Sequence, residues 1–292
     1  MKKFKLIANP ASGTHRSRHI AAQVVELLGR RNLAVDLEFT AAPKHAAEIA
    51  LRSRRDFDAI VAIGGDGTVH EIAGAMLDCG TPLGIVPAGS GNDLIKSLGI
   101  PNDTRAAVDI VARGRTRIID AGKVNGLCFV NVVGIGFDAA VNHNSHGLQW
   151  PASGLLRYVI ALVTTLGTYA ALPITVTIEG KPVVQDLFLL TIGNGTTCGG
   201  GFRLTPHAKL DDGLLDVTFV KPITVPRLLW HLPKVFRGTI DRVVRYASMR
   251  QVTRLSVESK APVPVHVDGE IYRGDTTRLD IEIIPKALTV LC

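Results

Sequence analysis

At 292 residues, with 46% hydrophobic side chains and a mean hydropathy of +0.23, the chain is long enough for two domains and holds ample core. A net charge of +7 and a pI near 9.4 favour an acidic partner, and among nucleotide, anionic lipid and nucleic acid the last is weakest, because aromatics are 5% and no DNA- or RNA-binding motif occurs. Cys79, Cys128, Cys198 and Cys292 lack metal or disulfide spacing, no apolar run reaches about 18 residues, and the N-terminus shows no signal-peptide pattern, so the reading is cytoplasmic.

Phe4 to Ala8 reads as a short buried strand. It ends in Asn9-Pro10-Ala11-Ser12-Gly13-Thr14, followed by a helix with Ile20, Val24, Leu27 and Leu28 on one face. Such a strand–turn–helix unit offers backbone N–H groups to a phosphate, though the Walker pattern is absent and an ordinary connection looks alike. Val35, Leu37 and Phe39 alternate with Asp36 and Glu38, giving a half-exposed strand that ends at Thr40. Its carboxyl end is where ligands of open α/β sheets collect. Pro43 to Arg54 reads as a helix.

Ala59 to Ile63 is an unbroken apolar run, the pattern of a strand covered on both faces. Gly64, Gly65 and Gly67 strip the following turn of side chains, and Val69, Ile72, Ala73, Met76 and Leu77 then share a helical face. Asp66 is the odd member. A carboxylate aimed at phosphates repels them unless a divalent cation lies between, so it implies Mg²⁺ and a nucleotide; the plain alternative is a helix cap. Leu83 to Val86 forms the next strand, followed by Pro87-Ala88-Gly89-Ser90-Gly91-Asn92-Asp93-Leu94, with a hydroxyl, an amide and a second acid. Three such turns at successive strand ends predict one shared phosphate site. Right-handed crossovers predict a doubly wound parallel sheet.

From Asp120 the character changes. Asn125-Gly126 between apolar runs signals a hairpin. Gly134-Ile135-Gly136-Phe137-Asp138-Ala139 formally matches a dinucleotide fingerprint, but the acid expected about 20 residues on is missing, so a glycine-bent strand is preferred. His143 to His146 reads as solvated loop. Leu155 to Ala171, with Trp150 and Arg157 near its start, reads as an apolar helix, either core or a wall for an acyl chain. Ile174–Ile178, Gln185–Ile192, Leu215–Val220, Arg254–Val257, Val263–Val267 and Arg278–Ile284 read as strands of an antiparallel β-sandwich. Arg227 to Val243 predicts one or two basic helices around Trp230, Arg237 and Arg242, either solvated or touching an anionic bilayer. The expected division is residues 1–121, completed by 285–292, and residues 122–284.

Asn9–Gly13, Gly64–Thr68 and the long Gly89–Pro101 segment resemble the diacylglycerol kinase catalytic domain, especially that of the soluble bacterial lipid kinases. The Gly-Gly-Asp-Gly turn is shared with NAD kinases and phosphofructokinases, whereas Gly89–Pro101 is more specific. The resemblance implies a phosphofructokinase/NAD-kinase-like α/β domain followed by a β-sandwich domain. Lys209 to Val217 is similar to an Asp-Asp-Gly-Leu-Leu-Asp motif, which implies a structural Mg²⁺ held by Asp212 with the carbonyls of Lys209 and Leu214. Val267-Asp268-Gly269-Glu270 matches the Asp-Gly-Glu motif that carries the catalytic base, a group the chemistry needs because a lipid hydroxyl must lose its proton as it attacks phosphorus. Asp268 is the first choice and Glu270 the second. His70 departs from the Asn found in many relatives.

The expectation is an ATP-dependent lipid kinase working in an interdomain cleft. Its acceptor is diacylglycerol, with sphingoid base, ceramide and phosphatidylglycerol as alternatives. Backbone groups of Asn9, Pro10, Ala11, Ser12, Gly13, Gly65, Asp66, Gly67, Thr68, Val69, His70 and Glu71, together with Thr40, Gly64, Gly89, Ser90 and Asn92, are expected to hold the nucleotide, and Asp66 and Asp93 to engage the catalytic Mg²⁺ directly or through water. Partners are the lipid and anionic phospholipid at the inner face of the membrane, without nucleic acid; a homodimer stays open. The rivals are an NAD kinase, against which Gly89–Pro101 and the Asp212 and Asp268 turns speak, and a non-catalytic sensor, against which the retained acids Asp66, Asp93, Asp212, Asp268 and Glu270 speak.

Overall fold

The computed structural model describes residues 2–13, 16–147, 154–272 and 276–292, apart from the side chains of 146–147 and 154–159. Thr14, Trp150 and the side chains of His146 and Arg157 lie outside that part. The chain divides into two compact units, Met1–Ala121 with Pro285–Cys292, and Gly122–Ile284.

The first unit alternates strand and helix: β1 (Lys3–Ala8), α1 (Ser17–Gly29), β2 (Ala34–Phe39), α2 (His45–Ser53), β3 (Ala59–Gly64), α3 (Asp66–Ala75), β4 (Leu83–Pro87), α4 (Asp93–Leu98), α5 (Thr104–Arg113) and the start of β5 (Thr116–Val124). The order β2-β1-β3-β4 is parallel throughout. Alanine, valine and isoleucine fill β3, every residue of which is buried, as the covered position requires. α1 packs with α5, and α2 with α3, so helices lie on both faces of a doubly wound sheet. Leu6, Ile7, Val24, Leu28, Ile49, Ile60 and Ile72 make its core.

The second unit continues through β6 (Leu127–Phe129), β7 (Val132–Gly136), α6 (Phe137–Gly147), α7 (Gly154–Leu166), β8 (Leu172–Ile178), β9 (Lys181–Leu187), β10 (Leu189–Gly193), β11 (Leu215–Val220), α8 (Val225–Phe236), a 3-10 turn at Ile240–Arg242, β12 (Ala247–Val252), β13 (Arg254–Ser259), β14 (Val265–Val267), β15 (Glu270–Tyr272) and β16 (Arg278–Leu291). One antiparallel sheet runs β16-β13-β8-β9 and the other β12-β11-β10-β7-β14-β15. Strand alternation divides their residues. Val133 and Ile135 of β7, with Leu190 and Ile192 of β10, point into the core between the sheets. Val132 and Leu189 point the other way, into a second apolar layer shared with Phe137, Val141 and Ala161 of the helices.

The hairpin at Asn125-Gly126 forms, with Val124 opposite Leu127 and both turn residues at positive φ. Three expectations need correction. The stretch around His143 is the helix α6, not a loop; Phe137 and Val141 anchor it in the second layer and override its weak helix formers. Gln185–Ile192 is two strands broken at Phe188, whose ring stacks on Phe137 with centroids 4.4 Å apart. Strands β12 and β15 escape the sequence pattern; β12 exposes three of its six residues, and β15 is three residues long.

Candidate active site

In the first unit, three turns meet at the carboxyl ends of β1, β3 and β4. The first is closed by Asn9, whose Oδ1 accepts from Ala11 N–H at 3.0 Å, and whose own N–H reaches Ile63 O at 3.1 Å. Gly13 then lies so close to the third turn that a Cβ would sit 2.1 Å from Ala88 O. The second and third turns touch glycine to glycine: a Cβ on Gly89 would lie 2.4 Å from Gly65 Cα. Close approach therefore explains these glycines. Thr40 joins the same edge through its N–H bond to Ala8 O at 2.9 Å.

Asp66 opens α3, whose first helical bond is Val69 N–H to Gly65 O at 3.1 Å. The N–H groups of Asp66, Gly67 and Thr68 precede it and have no acceptor within the helix, which suits an anion. The Asp66 carboxylate turns to the third loop, where Oδ1 accepts Asp93 N–H at 2.6 Å. Its Oδ2 faces Gly91, at which a Cβ would lie 2.6 Å from Asp66 Oδ2 and 3.5 Å from Asp93 Oδ2. Two carboxylate oxygens thus converge over a bare backbone. Burial, and next the charge of Asp93, push the Asp66 carboxyl up to about 7. Lys96 supplies a nearby cation, donating to Asp93 Oδ1 at 2.6 Å and to Gly91 O at 3.0 Å.

This donor set fits a hard divalent ion. Mg²⁺ is commonly held by one or two carboxylates, with phosphate oxygens and water completing the octahedron. No cluster of three or more metal-ligating side chains occurs among the described residues, so the remaining ligands would come from the nucleotide and solvent.

The side chains of some expected contact residues have structural work. Both Asn92 amide atoms bond Gly89, at 3.1 and 2.9 Å, so Asn92 builds the third turn. Glu71 accepts from Lys44 N–H and Ala46 N–H, at 2.9 and 3.2 Å, and so caps α2. Val69 is core, and Thr68 Oγ1 is buried without a hydrogen-bond partner. Pro10, Ser12 and His70 are half-buried, while Ala11 and Ser90 are exposed.

In the second unit, Asp268-Gly269 is the two-residue loop between β14 and β15, with φ of 50° and 88°. That is the hairpin turn Asp-Gly prefers. The Asp268 carboxylate is buried. Its Oδ2 accepts Val130 N–H at 2.9 Å, and its Oδ1 accepts Asn131 N–H at 2.9 Å and Val132 N–H at 2.8 Å. Glu270, two residues on, is exposed.

Sequence reasoning missed what holds this turn. Thr191, Gly134 and His266 lie side by side on three adjacent strands, facing the helices. Gly134 leaves a notch, since a Cβ there would stand 2.2 Å from His266 Nε2 and 2.4 Å from Asp138 Oδ2. Asp138, at the start of α6, enters it: Oδ2 lies 3.6 Å from His266 Nε2 and accepts Thr191 Oγ1–H at 3.2 Å. His266 Nδ1 then accepts Gly269 N–H at 3.3 Å, and Asn142 Nδ2 donates to Gly269 O at 2.9 Å. The spacing of Gly134 to Asp138 was the available signal. Its partner His266 lies too far along the chain for a local pattern to show it.

The Lys209 to Val217 segment places Asp212 at an exposed turn, where its Oδ1 accepts Leu214 N–H at 3.1 Å. Asp216, buried behind it, has a carboxyl raised first by burial, with Asp212's charge also raising it. Among the described residues no group of three or more metal-ligating side chains gathers at this turn.

A family model described as the diacylglycerol kinase catalytic domain matches residues 3–124. A second, described as a YegS C-terminal NAD kinase beta sandwich-like domain, matches residues 131–292. A protein of Mycobacterium tuberculosis (strain CDC 1551 / Oshkosh) described as diacylglycerol kinase is 32% identical, with 99% of this chain and 94% of that one covered. One from Bacillus subtilis (strain 168), described likewise, is 28% identical over 94% of this chain and 91% of that one. A crystal structure of a putative diacylglycerol kinase from Bacillus anthracis str. Sterne superposes with a TM-score of 0.83, covering 99% of this chain and 95% of that chain; at 24% identity it speaks for the fold.

Proposed function

We propose, for a chain that belongs to the diacylglycerol kinase family and is a lipid kinase, that it moves the γ-phosphoryl group of ATP onto a hydroxyl of diacylglycerol. The observation that carries this reading is the convergence of Asp66 and Asp93 over Gly91, beside a helix N-terminus whose first amides lack helical acceptors. A pair of like charges held this close stores repulsion that a divalent ion relieves, and the ion in turn accepts the phosphate oxygens.

The amides of residues 65–68 and the Asn9–Gly13 turn bind phosphate oxygens, with Thr40 and Ser90 at the rim. Asp66 and Asp93 would hold Mg²⁺, which would spread the charge developing on the transferred group. Positioning and charge neutralisation then account for most of the acceleration. Of the two acids in the 268–270 turn, Asp268 is committed to three amides, so we assign it the shaping of the turn and Glu270 the hydroxyl proton. This reverses the order of preference drawn from the motif. Asp212, with the carbonyls of Lys209 and Leu214, is proposed to hold a structural Mg²⁺. The acceptor places the enzyme against the inner membrane face.

Radiolabelled ATP offered with mixed micelles of diacylglycerol, ceramide, sphingosine and phosphatidylglycerol, and separately with NAD⁺, tests the reading. Label in diacylglycerol supports it; label in NAD⁺ alone, or nowhere, overturns it. Glu270→Gln is expected to abolish transfer at unchanged melting temperature, whereas Asp268→Asn lowers both. Full activity in Glu270→Gln would return the proton to Asp268.

A further inference from the structure

We infer that the outward face of α8, together with the Arg242–Tyr246 segment, docks on an anionic lipid bilayer. The inference rests on the lipid-kinase reading for its purpose, while its evidence is the surface itself. Along α8, Val235 is the one fully buried residue. Leu228 and Leu232 pack inward beside it at helical spacing, and the Phe236 ring meets Phe202 with centroids 4.5 Å apart. The opposite side is left open, with Trp230 79% exposed and Leu229 47% exposed, and Val244 in the neighbouring segment 83% exposed.

Cations ring these apolar groups. Between Lys221 and Tyr246 the chain carries Lys221, Arg227, Lys234, Arg237, Arg242 and Arg245 against one acid, Asp241. Asp241 is engaged elsewhere, 3.6 Å from His207. None of the six cations forms an ion pair among the described residues; Arg227 instead donates to Tyr246 Oη at 2.6 Å. Arg227 and Arg245 also flank the Tyr246 ring, with guanidinium carbons 6.0 and 5.6 Å from its centroid. A shallow groove of about 410 Å³ runs between Trp230 and these arginines.

The combination selects the partner. A polyanion such as nucleic acid would use the arginines but has no use for Val244 and Leu229. A second copy of the chain, meeting the same patch about a two-fold axis, would set six cations against six. A bilayer takes both halves at once: phosphates of anionic headgroups meet the arginines, the indole settles at the headgroup level, and the aliphatic groups enter the acyl boundary.

Sedimentation of the full chain with vesicles, without nucleotide, reads this directly and separately from catalysis. Wild type is expected to bind phosphatidylglycerol/phosphatidylcholine vesicles, weakly with added salt, and to bind pure phosphatidylcholine poorly. Arg242→Ala with Arg245→Ala should weaken binding about thirtyfold, on the basis of roughly 1 kcal/mol per basic residue at an anionic surface. Arg242→Lys with Arg245→Lys should retain it. Trp230→Ala should weaken it several-fold while circular dichroism and turnover on a water-dispersed short-chain diacylglycerol hold steady. Wild type that ignores anionic vesicles, or variants that bind as it does, overturn the inference. So does a Trp230→Ala variant that turns a dimer into a monomer and still binds vesicles, which would make the patch an interface between copies.

Discussion

Replacing Asp66 by asparagine should make the unliganded protein more stable and the enzyme inactive. The amide side chain of this variant keeps an oxygen for the Asp93 N–H, so the link between the second and third turns survives. What disappears is a charge. The Asp66 carboxyl rises from 3.8 to about 7, first through burial and then through Asp93. The folded state thus binds more protons than the unfolded state between those values, and stability falls as pH rises from about 4 to about 7. A rise of that size corresponds to about 4 kcal/mol. The residue is half-buried and shares its field with Asp93, so about half, ~2 kcal/mol, is the realistic gain from removing the charge. In a protein of this size that is a rise of about 4–8 °C in melting temperature. Scanning calorimetry in EDTA should show the variant's advantage small near pH 4 and full near pH 8. Mg²⁺ with ATP should narrow the gap by stabilising wild type alone, while turnover of the variant drops at least about a hundredfold. A variant no more stable than wild type at about pH 8 would refute the reasoning.

Three further outcomes follow from the geometry. Gly89→Ala drives a Cβ to 2.4 Å from Gly65 Cα and must pry two turns apart; calorimetry should show a loss of about 2–3 kcal/mol, with ATP affinity falling alongside. His266→Phe keeps a ring of similar shape but leaves Gly269 N–H without its acceptor and Asp138 without the imidazole, so denaturant unfolding should register a loss of roughly 2–4 kcal/mol, and kcat should fall more than KM rises. Mg²⁺ without nucleotide should raise the melting temperature of wild type but much less that of Asp212→Asn; equal responses would remove Asp212 from a structural metal site.

The parts of this protein that are legible in sequence are those whose cause is local. β3 shows as an apolar run because burial on both faces tolerates nothing else, and the second and third turns show because close approach of backbones demands glycine at Gly65 and Gly89, and the Asp66 carboxylate demands it at Gly91. The hairpin signal at Asn125-Gly126 needs two positive φ values in a row, which few residue pairs accept. What stays hidden depends on residues distant in the chain. Nothing near Asp268 announces that amides of Val130, Asn131 and Val132 occupy its oxygens, so the motif alone favours it as the base. The Asp138–His266 contact spans three strands and a helix and depends on a missing side chain at Gly134. Helix α6 reads locally as loop because Asn142, His143, Asn144 and Ser145 have weak propensity, while its stability comes from tertiary packing.

The closing stretch of β16 has a consequence for how the protein is made. Val290 pairs with Leu83 at the edge of β4, Ala287 O receives Asp78 N–H at 2.9 Å, and Asp120 Oδ1 receives Lys286 N–H at 2.7 Å. The strand that seals the parallel sheet of the first unit is thus encoded downstream of the entire sandwich. On the ribosome, at roughly 5–20 residues per second, the edge of β4 waits unpaired for about 10–30 seconds while the second unit is synthesised. An exposed strand edge of this kind invites pairing with other chains. Slow translation or early termination within the sandwich should therefore send the nascent first unit to chaperones, and a fragment cut after Ala121 should be recovered aggregated unless the 285–292 segment is supplied with it.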